Sequence, residues 1–235
     1  MSNDADSTRT QQRTLAAEVK LYYDLDVPAD TTMPAPLLIA LHGYGDNKAW
    51  MLREARKLAP GGFAVAALQG FHQHMKKAKQ DGAPFGYGFG WLTNFRAEES
   101  VALHHRAMLD LTETLVREGV AIREQIYLLG FSQSVALNYR FVFTHPNILR
   151  GVVGICGGLP GDWETSEAYM PSETSVMHLC GARDEFYPPA RVEDYLRRIK
   201  ARAHDVELKS YDAAHEIAPA MRDDVRAWLQ SRASI

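Results

Sequence analysis

Four apolar residues, Ile126-Tyr127-Leu128-Leu129, lead into Gly130-Phe131-Ser132-Gln133-Ser134, and a helix-like stretch follows from Val135 to Phe143. Few local patterns restrict a fold as much as a strand that turns at Gly-x-Ser-x-small straight into a helix. Such a turn is crowded and its backbone strained, so small residues flank the serine. The turn lifts the Ser132 Oγ clear of the sheet and sets the next backbone N–H beside it, where it can receive an oxyanion. The same letters also describe a small-residue strand end without chemistry, and the motif alone does not separate the two.

The rest of the chain repeats the strand-then-helix theme. Strands are expected within 15–27 (one or two), 36–41, 63–68, 126–130, 151–156, 175–180 and 206–211. Helices are expected over 48–58, 97–118, 189–202 and 216–231, the second carrying Val101, Met108, Leu111 and Leu115 on one stripe and stopping at Gly119. This alternation predicts an α/β fold with a mostly parallel central sheet and helices on both faces. One stretch departs from it. Residues 69–95 hold several glycines and the aromatic set Phe71, Phe85, Tyr87, Phe89, Trp91 and Phe95. A loop this long in a compact domain is usually functional, and one that follows a strand overhangs the sheet edge. Phe85, Tyr87, Phe89 and Trp91 are therefore expected as walls of an apolar pocket, together with Phe186 and Tyr187. The alternative is a loop packed over its own small aromatic core.

The 235 residues suffice for one large domain, expected over 15–235 after a polar tail at 1–14. A net charge of -3 gives no reason to expect nucleic acid or an anionic membrane as partner. No phosphate-cradling G-x-x-x-x-G-K occurs, and runs such as 63–68 are too short to span a bilayer. Residues 1–12 lack the apolar core of a secretory signal. Cys156 and Cys180 both end core strands and read as small buried thiols rather than a disulfide, which points to the cytoplasm. The sequence leaves the oligomeric state open.

A serine hydroxyl becomes a nucleophile only with a base in reach and an acid holding that base in one tautomer. Asp184 follows the strand 175–180, and His215 follows the strand 206–211 and opens a helix. The chain order Ser132, Asp184, His215 is the order of α/β hydrolases, with each residue at the C-terminal end of a strand. Asp212 is the rival acid, but it shares a turn with His215, whereas Asp184 has a loop of its own. His42 also ends a strand, within Leu41-His42-Gly43-Tyr44-Gly45-Asp46, where the glycines let a backbone N–H face the site. Tyr44 N–H and Gln133 N–H are the expected oxyanion donors. His72 and His74 form an H-x-H pair, but no third ligand stands at a recognised spacing and nearby lysines oppose a cation, so no metal is expected. His104 and His105 are adjacent on a helix and are expected at the surface.

G-F-S-Q-S, L-H-G-Y-G-D, G-A-R-D-E-F-Y-P and A-A-H-E-I resemble the four signature blocks of the phospholipase/carboxylesterase family of α/β hydrolases, which includes acyl-protein thioesterases and lysophospholipases. The resemblance runs in order from about Pro36 to the end. It implies the α/β-hydrolase fold, a Ser132–His215–Asp184 triad, an oxyanion hole at Tyr44 and Gln133, and no cofactor. It also implies hydrolysis of small-molecule carboxylic esters or thioesters. Ser134 stands where the family has glycine, and Trp91-Leu92-Thr93 stands where it often has W-F-D. Two other readings are set beside an esterase. One is a triad enzyme with another reaction: peptide or carbon–carbon hydrolysis, or acyl transfer. The other is a non-catalytic module whose aromatic loop binds an apolar ligand.

Overall fold

The computed structural model describes residues 11–76 and 84–233; most of the expected tail, and the middle of the aromatic stretch, lie outside them. In chain order the elements are β1 (Tyr23–Asp26), β2 (Ala35–Leu41), α1 (Lys48–Leu58), β3 (Ala64–Leu68), β4 (His72–Lys76), β5 (Gly86–Gly90), α2 (Ala97–Arg117) and β6 (Ala121–Phe131). There follow α3 (Gln133–Thr144), β7 (Gly151–Ile155), β8 (Ser175–Gly181), α4 (Pro189–Val192), α5 (Tyr195–Lys200), β9 (Val206–Tyr211) and α6 (Pro219–Arg232).

Seven strands form one sheet in the order β1-β3-β2-β6-β7-β8-β9. β1 runs antiparallel to β3, and every other neighbouring pair is parallel. All seven residues of β2 are buried, as a strand covered on both faces requires. Its side chains alternate between two core layers. Leu37, Ile39 and Leu41 join α2, α3 and α5 on one face, while Leu38 and Ala40 meet α1 and α6 on the other. This is the α/β-hydrolase architecture. Parallel strands point the same way, so the turns after β2, β6, β8 and β9 share one edge of the sheet.

Several elements differ from expectation. Of 15–27, only Tyr23–Asp26 is a strand, paired to the β3 edge, and Leu15 and Val19 stand exposed. The aromatic stretch holds a hairpin, β4 against β5, with Met75 opposite Tyr87. The helix expected over 189–202 is two short pieces that still bury Val192, Tyr195 and Ile199 on one side. α6 begins at Pro219 rather than at 216, because the residue before a proline is driven out of the helical region and Ala218 is extended. His104 is fully buried, not at the surface. It falls on the stripe of Val101, Met108, Leu111 and Leu115, so helical spacing carries it into the core, where its Nε2 meets Asn138 Oδ1 at 3.2 Å. Cys156 and Cys180 are free and buried in opposite core layers. Among the described residues no helix is long and apolar enough to cross a membrane.

Candidate active site

β6 ends at Phe131 and α3 starts at Gln133, which leaves Ser132 alone to make the turn. It does so at φ 57, ψ -115, a conformation that L-residues rarely hold without compensation. The surroundings supply that compensation. Ser132 N–H donates to Ile155 O at 2.9 Å. Ser134 is fully buried; its Oγ accepts from Phe131 N–H at 3.0 Å and lies 2.9 Å from Leu41 O as a donor. The hydroxymethyl in the glycine position thus binds the elbow to the end of β2. Gly157 passes so near that a Cβ there would fall 2.3 Å from Val135 and 2.7 Å from Ser132 O.

The turns after β8 and β9 deliver the other two side chains. His215 Nε2 lies 2.9 Å from Ser132 Oγ, and His215 Nδ1 lies 2.9 Å from Asp184 Oδ2. An imidazole that donates through Nδ1 to the carboxylate keeps Nε2 as an acceptor for the serine hydroxyl. Asp184 Oδ1 accepts from Phe186 N–H and Tyr187 N–H, each at 2.9 Å. Burial pushes the Asp184 carboxyl up, but the hydrogen bonds from His215, Tyr187 and Phe186 outweigh it and hold it below the usual carboxylate range. Asp212 is elsewhere: its carboxylate is exposed and paired with Arg183 Nε at 2.7 Å. The Phe186 and Tyr187 rings pack on the His215 imidazole at 4.8 and 6.0 Å, and Phe131, unremarked in the sequence, does so at 5.1 Å.

The turn after β2 comes up beside the serine. A Cβ on Gly43 would lie 2.9 Å from the Phe131 ring and 3.2 Å from Ser132 Cβ, so only glycine lets this backbone approach. Tyr44 is the next residue. Gln133 N–H belongs to the first turn of α3, whose N–H groups have no acceptor within the helix. His42 is a support. Its Nδ1 donates to Gly43 O at 2.7 Å and its Nε2 accepts from Gly70 N–H at 3.0 Å. Burial pushes it down to about 4, so the ring stays neutral. A cleft of about 440 Å³ opens over Ser132 and His215, bordered by Tyr44, Trp50 and Arg222, with Arg222 held by Glu54 at 2.8 Å.

The expected pocket walls divide. Phe186 and Tyr187 flank His215, as described. Phe85 and Tyr87 are exposed on the hairpin and Phe89 is half-buried. Trp91 is a correction: it is wholly buried, its indole N–H donates to His42 O at 2.8 Å, and its ring packs against Phe71, His42 and His104. It anchors the stretch from beneath and does not wall the cleft. His74 stacks on Tyr44 and His72 meets Ser100 Oγ at 2.9 Å. Among the described residues, one trio of metal-capable donors lies close together, Cys156, Asp184 and His215, within 4.8 Å. In the sequence Cys156 reads only as a small buried thiol at a strand end. Burial, then the Asp184 charge, push its thiol up to about 12, so it is a neutral group, and it sits at φ 47 beside the carboxylate.

The model of the Phospholipase/Carboxylesterase family matches residues 24–232. Acyl-protein thioesterase 1 of Eremothecium gossypii is 27% identical over 205 residues, 82% of this chain and 86% of the relative. Among solved structures, esterase PE8 superposes with a TM-score of 0.71 at 22% identity, over 92% of this chain and 100% of the other. The Bacillus cereus carboxylesterase gives 0.68 at 18% identity, over 91% and 95%. At those identities the structures speak for the fold.

Proposed function

Because the chain belongs to the phospholipase/carboxylesterase family and is a hydrolase of the esterase type, we propose that it cleaves small-molecule carboxylic esters or thioesters through an acyl-enzyme on Ser132. The observation that carries this reading is the hydrogen-bonded line Ser132 Oγ, His215 Nε2, His215 Nδ1, Asp184 Oδ2, with 2.9 Å at each contact. Ser132 Oγ attacks the acyl carbonyl and passes its proton to His215 Nε2. Asp184 holds the imidazolium and fixes its orientation. The carbonyl oxygen, now an oxyanion, accepts from Tyr44 N–H and Gln133 N–H; one such donor is typically worth about 3–4 kcal/mol. His215 then protonates the departing alkoxide or thiolate. Water, deprotonated by His215, attacks the acyl-serine, releases the carboxylic acid and restores the serine. Water is the only co-reactant, and the protons balance.

The name of the Eremothecium relative brings acyl thioesters into range beside carboxylic esters. Two unpaired thiols suit a reducing compartment, and we place the enzyme in the cytoplasm. A fluorophosphonate should label one serine per chain, at Ser132, and Ser132→Ala should abolish both labelling and ester turnover while the protein stays folded. Activity that survives Ser132→Ala and disappears in Ser134→Ala would remove Ser132 as nucleophile.

A further inference from the structure

We propose that the glycine-rich strand β5 and Trp91 form a strut that sets the two oxyanion donors, with the Gln133 side-chain amide as its positioning group. This rests on the Ser132 acyl-enzyme reading above. The donors come from distant parts of the chain, the turn after β2 and the start of α3, yet one short segment grips both. Phe89 exchanges backbone bonds with the residues just after Tyr44: Gly45 N–H donates to Phe89 O at 2.8 Å, and Phe89 N–H donates to Asp46 O at 3.2 Å. The Trp91 indole holds His42 O, two residues before Tyr44. On the other side, Gln133 Oε1 accepts from Trp91 N–H at 2.9 Å and Gln133 Nε2 donates to Leu92 O at 3.0 Å. The amide closes on the strand end with the donor and acceptor pair of a neighbouring strand.

The alternation Gly86-Tyr87-Gly88-Phe89-Gly90 explains how this is possible. Side chains alternate along a strand, so the glycines share one face. A Cβ on Gly88 would fall 2.8 Å from Gly45 O, and one on Gly90 would lie 3.1 Å from the Tyr44 ring and 3.3 Å from Gln133 Oε1. The bare face lets β5 lie against both donor residues at once. Oxyanion donors must sit within a few tenths of an ångström of the developing charge, and a misplacement near 1 Å can cost about 100-fold.

Gln133→Met keeps the length of the side chain and removes both bonds. It should lower kcat about 10-fold with KM within about twofold, because the lost interaction belongs to the transition state. Affinity for a boronic acid or trifluoromethyl ketone, each a tetrahedral transition-state mimic, should fall by the same factor as kcat/KM. The shape of the pH–rate profile should not change, since His215 and Asp184 are untouched. Gly90→Ala, whose added methyl would press on the Tyr44 ring and Gln133 Oε1, should move the same parameters the same way. A rise in KM alone, or unchanged kcat and mimic affinity in both variants of an enzyme labelled stoichiometrically at Ser132, overturns the strut. Failure of the wild type to be labelled at Ser132 overturns the parent reading instead.

Discussion

Ser134 is the residue at which this elbow departs from the G-F-S-Q-G pattern, and its hydroxyl has a use. Ser134→Gly should remove bonds to Phe131 N and Leu41 O and leave both polar groups buried without that partner. A cost of about 1–2 kcal/mol is expected from urea unfolding, with kcat falling only a few-fold because Ser132 and His215 remain in place. A gain in stability would mean that the hydroxyl is a strained substitute and not a tie. Asp184→Asn is the sharper test of the acid. The amide favours the wrong imidazole tautomer, so kcat should drop by about 10⁴-fold with the fold retained. Asp212→Asn, which loses only an exposed pair with Arg183, should stay near wild type; the reverse ranking in the same ester assay would move the acid to Asp212. That Ser132, Asp184 and His215 meet was legible in the sequence, because each follows an apolar strand and they occur in hydrolase order. The burial of His104 is not legible from the residue itself, because a histidine gives no signal of its own; only its place on the α2 stripe does. The nearness of Cys156 to Asp184 depends on two turns meeting in space, which no spacing along the chain encodes.

At the scale of elements, the central strands were legible because both faces are buried and their letters are continuously apolar, as in β2 and β7. The hairpin was not legible. Glycine is a poor strand former, and its presence in β5 answers a need for close approach that only the folded chain reveals. The sequence leaves Trp91 open between a wall and an aromatic core for the same reason: an aromatic in a long loop looks alike in sequence whether it faces a cleft or the core. Its burial makes a definite prediction. Trp91→Ala should cost about 3–5 kcal/mol of stability, as large core truncations do. It should impair short and long acyl esters in equal proportion. Thermal unfolding measured beside kcat/KM for the two esters decides the matter, since a changed short-to-long ratio with an intact melting temperature would restore Trp91 to the cleft wall. Phe186 and Tyr187, packed on the His215 ring, are the better places to look for selectivity.

The whole molecule carries several histidines that folding keeps neutral. Burial pushes His104 down to about 3, and His42 and His178 down to about 4, from an ordinary value of 6.5. The groups that face them leave burial dominant: His104 faces His105 and Asn138, His42 donates to Gly43 O and has Lys76 near it, and His178 meets the Tyr139 and Tyr195 rings. In the unfolded chain each would protonate near its ordinary value, so between about pH 6.5 and 4 the unfolded state binds protons that the native state refuses. Stability therefore rises with pH through this window. The contribution is complete above about pH 6.5, is lost as pH falls, and stops declining once the native histidines themselves protonate. For His104 alone, the loss between pH 7.5 and pH 5 is about 2 kcal/mol. The depressed carboxyls, Asp184 among them, add to acid lability only lower, as pH falls through the carboxylate range, so the first limb belongs to the histidines. His104→Gln preserves a donor toward Asn138 and cannot titrate. It should be less stable than wild type at pH 7.5 and close most of that gap by pH 5 in urea melts. A gap that stays constant across those two pH values would mean that His104 accepts its proton in the folded core as readily as in the unfolded chain.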